Sequence, residues 1–574
     1  MALPVDKVEI NSIDLEILRR KLVAVAGEMG LQLRKTAQSV EINSELDYAT
    51  AIVDRSGAVV ATDNPLQLGT LSGTARAVVN HFRFNMRPGD VVVTNAPEYG
   101  GTRAVDLAVI APLFVGNSAV LYFVIRARMP DLGGMYVGGF NPEATEFFAE
   151  GVPVTPLKLY REGRESRDVM TTLLLNSRFP DTFRLTLDSL IAAMRTGEKR
   201  VRDLIGGYGA DALRAALNHA QAYVAKRIRA EMRGWAVGSY SAESALVRAP
   251  SGDVVHVRAD VIVSEDSIRI DFSRSDPQAA CFVNSTLSNT MGFAATAVLA
   301  EFGEDVPAND GLFQVISVTC DPGRVTSSTS GGAVGFSAAH CGAEILESVS
   351  RALRVARSAI HGDLSTPRML LSCRPGDDRR CRVSLETWVI GGASASAGLD
   401  GWNRPALLSR SILPSVEEWE RAWPVSVRKL EFVTDTAGAG RWRGAPATEA
   451  VLRTPDSHLI TLWWQGPVSQ THGTAGGDAG ASPRLDWDDA ANSGAESTLI
   501  VDGPMPANLL RVVGAGGAGF GPAISRDPTS VLADVLDGIV SIEAAAEQYG
   551  VVLSSKGRAV DAKATARRRA AKGG

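Results

Sequence analysis

Segments with a β-strand pattern lie on both sides of a long helical stretch, and this order strongly limits the fold of the chain. Apolar residues recur at helical spacing roughly from Asp181 to Met232. Before this stretch, short apolar runs separated by turn residues indicate strands, as in the hairpin of Tyr48–Val53 and Ala58–Ala61. After it, apolar and polar residues alternate again, as around Val254–Val257. All-helical and all-strand folds are therefore excluded, and we predict a mixed α+β chain.

The length of the chain and a shift in its pattern predict several domains. A chain of 574 residues is too long for one compact core. The change from helical to strand patterning near Gly234–Gly238 places the first boundary. The last residues carry three consecutive arginines among alanines and lysines, a composition typical of a solvated end. The predicted domains are an N-terminal α/β domain that carries the functional motifs (1–238), a mixed central domain (239–425), a β-rich domain (426–554) and a disordered basic tail (555–574).

Charge and cysteine content argue against several classes of protein. The 59 basic and 64 acidic side chains give a net charge of −5, so no overall field favours nucleic acid or a membrane surface. The five cysteines form no CxxC pair, which argues against a disulfide framework or a cysteine zinc site and fits a reducing cytoplasm. The first residues lack the pattern of a signal peptide, and no uncharged apolar run reaches the roughly 18 residues of a membrane span. We therefore expect a soluble cytoplasmic protein that binds neither nucleic acid nor a membrane.

Glycine- and proline-containing motifs occur in a fixed order through nearly the whole chain. They are Arg87–Val91, Asn95–Thr102, Asn141–Lys158, Asn176–Arg178, Arg195–Glu198, Val306–Gly311, Asp435–Gly444, Gly516–Gly521 and Arg526–Pro528. Each motif alone is weak. Together, their order and spacing resemble the hydantoinase B/oxoprolinase family, which includes the large subunits of acetone and acetophenone carboxylases that do not bind the nucleotide.

The resemblance also shows where this chain departs from the family. Family members usually carry runs such as GGTHxxD and HHADxGG and an HxG segment, whose histidines and aspartates suit a divalent metal ion. Here the first run reads Gly100–Asp106 with Arg103 at the histidine position, and the second reads Arg128–Gly134 without histidine. The HxG position reads Gln67–Gly69. The family's aspartates are retained: Asp47, Asp106 and Asp131.

Arginine cannot take over the role of a metal-binding histidine. A guanidinium group has no lone pair to donate and does not lose its proton in proteins. Arg103 and Arg128 would also repel a dication. We therefore predict that no metal binds at this position.

Two interpretations of the arginines stay open. In the first, Arg103, Arg126 and Arg128 form a cradle for the oxygens of a carboxylate, bicarbonate or phosphate. In the second, they pair with the aspartates and neutralise a pocket that has lost its activity. Internal pairing is the simpler explanation for arginines beside carboxylates. The predicted catalytic residues are Asp47, Arg103, Asp106, Arg128 and Asp131, and the predicted substrate- or anion-binding residues are Gln67, Arg126 and Glu146.

The resemblance also implies a partner protein that binds the nucleotide. The chain contains neither a Walker lysine loop nor a GxGxxG motif between a strand and a helix, so we expect no nucleotide site in it. The family pattern implies a hydantoinase A-type partner subunit that holds ATP and Mg, with a small accessory subunit as a further candidate. ATP then makes an activated phosphate, from the substrate or from bicarbonate.

The subunit that resembles this chain hosts the second half of the reaction. Without the histidines, the resemblance favours a ketone carboxylase of the acetophenone type, which joins an enol phosphate of an aromatic ketone with bicarbonate or carboxyphosphate. An ATP-dependent hydrolase of a hydantoin, oxoproline or lactam is the alternative enzyme. A non-catalytic scaffold subunit is the alternative of another class.

Overall fold

The computed structural model of the chain describes residues 11–141, 143–247, 253–302, 306–329, 331–357, 368–371, 391–401, 415–417, 420, 426–453, 460–463, 471–487, 509–554 and 557–572. The described residues of 1–244 and 256–356 form one compact unit, here called unit 1, and those of 245–255, 357–407 and 413–574 form a second, unit 2. Helices and strands mix along the chain, which confirms the predicted mixed α+β class. Among the helices in these ranges, none combines the length and the apolarity that crossing a lipid bilayer requires.

Unit 1 is built on a seven-stranded sheet in which every neighbouring pair is antiparallel. Its strands are β1 (Tyr48–Asp54), β2 (Val59–Thr62), β3 (Val91–Thr94), β4 (Asp106–Val115), β5 (Ser118–Arg128), β6 (Leu157–Arg161) and β7 (Arg164–Glu165). The spatial order is β2-β1-β5-β4-β3-β6-β7, so β5 lies inside the sheet between β1 and β4. The helices of this part are α1 (Ser12–Thr36), α2 (Val40–Asn43), α3 (Leu68–His81), α4 (Phe147–Glu150), α5 (Arg167–Leu175), α6 (Pro180–Tyr208) and α7 (Ala210–Met232).

The two faces of β5 have different chemistry. Successive side chains of a strand point to opposite faces. Phe123, Ile125 and Ala127 belong to the hydrophobic core that the sheet shares with α1 and α6. Arg126 and Arg128 therefore point to the other face. At this end of β5, the sheet separates the apolar core from two buried arginines.

The helical stretch predicted over 181–232 is two helices. Gly209, with φ +87°, separates α6 from α7. Side-chain-bearing residues rarely adopt that backbone conformation, and glycine adopts it freely. The turn lets α7 fold back, and both helices pack against α1.

The rest of unit 1 groups residues that the sequence analysis assigned elsewhere. A second sheet has four strands in the order β11-β10-β9-β8. Helix α8 lies between β10 and β11 in the chain, and α9 follows β11. The bounds are β8 (Gly238–Val247), β9 (Val254–Val263), β10 (Ile268–Asp271), α8 (Leu287–Leu299), β11 (Ile316–Thr319) and α9 (Gly342–Arg357). Residues 256–356 pack with the N-terminal part, whereas the sequence placed them in a central domain over 239–425. The cause is close long-range packing: a Cβ on Gly69 of α3 would lie 2.3 Å from the backbone nitrogen of Gly292 in α8.

Unit 2 contains both strands and helices. Its elements are β12 (Arg368–Leu371), β13 (Ser426–Phe432), β14 (Thr448–Arg453), β15 (Ile460–Trp463), β16 (Arg484–Trp487), β17 (Leu509–Val513), α10 (Pro528–Leu536), α11 (Ile542–Glu547) and α12 (Ala562–Lys572). One sheet has the order β13-β14-β17-β16, and β12 pairs with β15. The predicted boundary at residue 425 lies outside the described residues.

Helix α12 corrects the predicted disordered tail over 555–574. It spans Ala562–Lys572, and two of its arginines are bound to the body of unit 2. Arg568 donates to the carbonyl oxygen of Ala546 at 2.7 Å, and Arg569 donates to those of Tyr549 at 3.2 Å and Arg526 at 2.6 Å. Arginine donors here satisfy backbone carbonyls, a role that composition does not reveal.

Candidate functional site

The predicted site residues of the N-terminal motifs meet at the ends of three neighbouring strands. Asp47 precedes β1, Arg103 lies in the turn before β4, and Arg126 lies near the end of β5. In the sheet register Arg126 stands opposite Ala49 of β1 and Ala108 of β4. The two small neighbours leave room beside the strand for a long side chain.

Arg103 is held by two aspartates. Its Nε lies 2.7 Å from Oδ2 of Asp106 and its Nη2 lies 2.7 Å from Oδ1, so the ion pair is bidentate. The same Nη2 lies 2.6 Å from Oδ2 of Asp47. Burial disfavours the charged guanidinium, yet Asp106 and Asp47 raise the pKa of Arg103 above its ordinary value. Arg103 is therefore a fixed cation that its neighbours already neutralise.

Arg126 shares Asp106 with Arg103 and is satisfied on one nitrogen only. Its Nη2 donates to Oγ1 of Thr102 at 2.7 Å and also to Oδ2 of Asp106. Among the residues that the structure describes, its Nε and Nη1 have no hydrogen-bond partner, although the side chain is buried. Burial alone would raise the pKa of Asp106, but the two guanidinium groups hold that pKa below its ordinary value. Asp106 therefore stays ionised.

Arg128 and Asp131 are paired with residues outside the two runs. Nη1 of Arg128 lies 3.3 Å from Oε2 of Glu45. Oδ1 of Asp131 accepts from the backbone nitrogen of Gly138 at 2.9 Å and from Nη1 of Arg178 at 2.9 Å, and its Oδ2 accepts from the backbone nitrogen of Arg178 at 2.8 Å. Asp131 thus fastens the loop after β5 to the residues before α6.

Gln67 and Glu146 do not join this cluster through any contact in the described residues. Oε1 of Gln67 accepts from Oγ1 of Thr70 at 2.8 Å, which ties it to the first turn of α3. Glu146 is exposed, and its backbone forms a bridge with Gly332. Of the eight predicted site residues, the structure brings together Asp47, Arg103, Asp106 and Arg126, and it places Arg128 and Asp131 on the adjoining segment.

The contacts of the aspartates do not fit the metal ion that the family pattern implies. A dication needs several oxygen or nitrogen donors that converge and are not already bound to cations. Asp106 is bound by two guanidinium groups, Asp47 by one of them and Asp131 by Arg178. Among the described residues, no group of three or more histidine, cysteine, aspartate or glutamate side chains is arranged to hold a metal. Two buried arginines supply positive charge where a dication would have to bind.

A buried carboxyl group that the sequence analysis did not select lies beside the cluster. Oε2 of Glu150 accepts from the backbone nitrogen of Val334 at 2.9 Å, and Oε1 accepts from that of Gly335 at 2.7 Å. Burial raises the pKa of Glu150 to about 8, although these two donors lower it. The next residue, Gly151, packs so closely on Ala104 that a Cβ there would lie 2.6 Å from the Cβ of Ala104. Glu150 thus ties the segment that packs on Ala104, the neighbour of Arg103, to Val334 and Gly335.

Four partners were missed by sequence reasoning: Glu45, Thr102, Glu150 and Arg178. Thr102, Glu150 and Arg178 lie inside the motifs that carry the family resemblance, so their position was a usable signal. Glu45 lies outside every motif. Its pairing with Arg128 spans 83 positions of sequence and depends on the fold alone.

Comparison with known proteins places this arrangement in context. The profile described as Hydantoinase B/oxoprolinase matches residues 11–523. The caprolactamase subunit beta of Pseudomonas jessenii is 28% identical, over 98% of this chain and 99% of that protein. The crystal structure of the ATP-dependent caprolactamase from Pseudomonas jessenii contains a chain with a TM-score of 0.87 and 25% identity, over 98% of this chain and 100% of that one. A nucleotide-free acetone carboxylase structure has a TM-score of 0.83 at 19% identity, over 98% of this chain and 83% of that one, a likeness of fold.

Proposed function

Because this chain belongs to the hydantoinase B/oxoprolinase family, we propose that it is the subunit of an ATP-dependent enzyme in which a cyclic amide is opened. The observation that carries the proposal is the end-to-end likeness to a caprolactamase beta subunit, in sequence and in fold. Reaction and substrate type follow that relative rather than any single contact in the site. The predicted ketone carboxylation becomes the second candidate.

The proposal includes a partner that binds the nucleotide. The relative is named as a beta subunit, which supports a complex of different chains. We assign ATP and Mg to a hydantoinase A-type subunit, with a small accessory subunit as a further candidate, and we place the complex in the cytoplasm, which the cysteine pattern favours. This chain then receives the activated amide and provides the residues around the reacting carbonyl carbon.

The buried charge of the site suits the chemistry of amide opening. Phosphorylation of the amide oxygen gives an imidate phosphate with an electrophilic carbon. Water adds to that carbon, its proton passes to the ring nitrogen, and the C–N bond breaks to leave a free amine and an acyl phosphate. A second water releases phosphate and the carboxylate, so negative charge collects on the phosphoryl oxygens and on the carboxylate oxygen that forms. Preorganised positive charge in a site that excludes water stabilises such an oxyanion strongly. In the proposal Arg126 and Arg103 supply that charge, and Asp106 and Asp47 orient them. Arg128 and Asp131 position the segment after β5, and Gln67 and Glu146 lie outside the cluster.

The test is reconstitution of this chain with its nucleotide-binding partner. Five- to seven-membered lactams, a hydantoin and 5-oxoproline are supplied with ATP and Mg, and ADP and ring-opened product are measured together. The proposal expects ADP release that depends on one of these cyclic amides and yields an amino acid. Omitting this chain is the control and must abolish product. ADP release without ring opening, for every amide, would count against the proposal.

A ketone carboxylase is the second candidate because the fold of an acetone carboxylase chain covers nearly the whole of this chain. The arginine cluster suits a bicarbonate-derived anion as well as an amide oxyanion. Incorporation of labelled bicarbonate into an aromatic ketone distinguishes the two, because a lactam hydrolase forms no carboxylated product.

The scaffold alternative is separated by an alanine at Arg103. If the complex still assembles and turnover is unchanged, the cluster has no part in catalysis. If the complex assembles and turnover falls, the cluster takes part.

A further inference from the structure

Two buried nitrogens of Arg126, Nε and Nη1, have no hydrogen-bond partner among the described residues. We infer that one of these two nitrogens donates to a bound oxyanion of carboxylate type, among the motif residues where the family pattern expects a metal ion. The inference rests on the proposed function only for the source of the anion. The binding itself follows from the contacts of the buried guanidinium.

The hydrogen bonds of Arg126 are incomplete in a way that points to a missing acceptor. A guanidinium group carries five N–H donors. Nη2 is used by Thr102 and Asp106, while Nε and Nη1, with three N–H donors between them, lack a partner among the described residues. The side chain is only 3% exposed, so bulk water does not satisfy these donors. Unpaired donors on a buried cation are costly, and a bound acceptor removes that cost.

The neighbouring arginines do not share this property, which singles out Arg126. Arg103 is bound by two carboxylates, and Arg128 is paired with Glu45. Among the described residues, neither of them has a buried nitrogen without a partner. Asp106 is divided between Arg103 and Arg126, so its single negative charge does not fully compensate both. Of the three arginines in the predicted cradle, Arg126 alone has fully buried nitrogens without a partner among the described residues.

The chemistry of the donors defines the ligand. Guanidinium donors select oxygens that carry negative charge, and a carboxylate gains hydrogen bonds and charge attraction together. A cation is excluded by the same two guanidinium groups. Two sources share this chemistry: the carboxylate released when a cyclic amide opens, and bicarbonate.

The first test is calorimetric titration of the full-length chain, alone or in its complex, with acetate, bicarbonate and 5-aminopentanoate. The matched variants are Arg126→Lys and Arg128→Lys, two residues apart on β5 and both buried. Lysine keeps the charge but lacks the additional nitrogens. We expect Arg126→Lys to weaken anion binding at least tenfold and Arg128→Lys to leave it within about threefold. Stronger binding of 5-aminopentanoate than of bicarbonate identifies the ring-opened product as the source, and the reverse order identifies bicarbonate.

The second test uses the unsubstituted protein and does not depend on the stability of a variant. Crystals soaked in bromide should show an anomalous peak within hydrogen-bond distance of Nε or Nη1 of Arg126. Ordered water at both nitrogens with no bromide, or equal anion affinity in both lysine variants, overturns the inference. Anion binding without ring opening of any amide would instead refute the proposed function and leave this inference standing.

Discussion

Replacing Asp106 by asparagine removes the carboxylate that two buried guanidinium groups share. Arg103 and Arg126 are 5% and 3% exposed, and Asp106 accepts from both of them and from Oγ1 of Thr102 at 2.8 Å. After the substitution, the two cations keep only Asp47, which pairs with one of them. Removing one partner of a buried ion pair costs about 3–5 kcal/mol, because the remaining charge stays buried. We expect Asp106→Asn to lower the free energy of unfolding of unit 1 by about that amount.

Hydrogen exchange followed by mass spectrometry measures this loss where it occurs. Amides of β4 and β5 should exchange about a hundredfold faster or more in Asp106→Asn, because each 1.4 kcal/mol corresponds to about tenfold. The control is Asp188→Asn, which breaks an exposed pair with Arg184 on α6 and should cost less than about 0.5 kcal/mol. Since the pKa of Asp106 is lowered, its contribution is present above pH 4 and is lost as the pH falls through that lowered value. A loss below about 1 kcal/mol in β4 and β5 would refute the reasoning.

Three further predictions concern the surroundings of the cluster. Because burial raises the pKa of Glu150 from 4.5 to about 8, the folded chain keeps a proton that the unfolded chain releases. The free energy of unfolding should therefore fall by up to about 5 kcal/mol as the pH rises from 4.5 to 8. Urea midpoints measured across this range should fall with pH in the unsubstituted protein and change less in Glu150→Gln. An equal dependence on pH in both proteins contradicts the assignment. Asp131→Asn should cost about 2 kcal/mol and speed hydrogen exchange over residues 133–139, and unchanged exchange there would speak against its fastening role. Gly69→Ala should lower the free energy of unfolding by about 2 kcal/mol, because its Cβ would meet the backbone of α8. The control is Gly27→Ala, which has open space around it and should be neutral or stabilise its helix by up to about 1 kcal/mol. Equal shifts of the melting temperature in the two variants would refute the packing argument.

Local patterns predicted the strands of unit 1 because those strands depend on neighbours in sequence. The predicted hairpin of Tyr48–Val53 and Ala58–Ala61 is observed as β1 and β2, with each end within one residue of the prediction. The hairpin of β1 and β2 turns at Gly57, where φ is +83°, a conformation that the turn residues already indicated. The grouping of 256–356 with unit 1 was not predictable, since it depends on backbone contacts between α3 and α8.

The sequence predicted which residues of the candidate site lie near one another, but not how they are hydrogen-bonded. The motifs identified which arginines and aspartates lie near one another, because β4 and β5 form a hairpin that brings position 106 opposite position 128. The distribution of hydrogen bonds among them was not visible. Side-chain geometry decides that Arg103 is paired on both sides, whereas Arg126 keeps two buried nitrogens without a partner among the described residues. Both interpretations of the arginines stay predictions.

The most direct test of the central claim is the stoichiometry of ADP and ring-opened amino acid in the reconstituted complex of this chain with its nucleotide-binding subunit. The account predicts that ADP and amino acid appear together, in a fixed ratio, and only when a cyclic amide and both subunits are present. ADP formed without amino acid from any cyclic amide, or amino acid formed by the partner subunit alone, would contradict it.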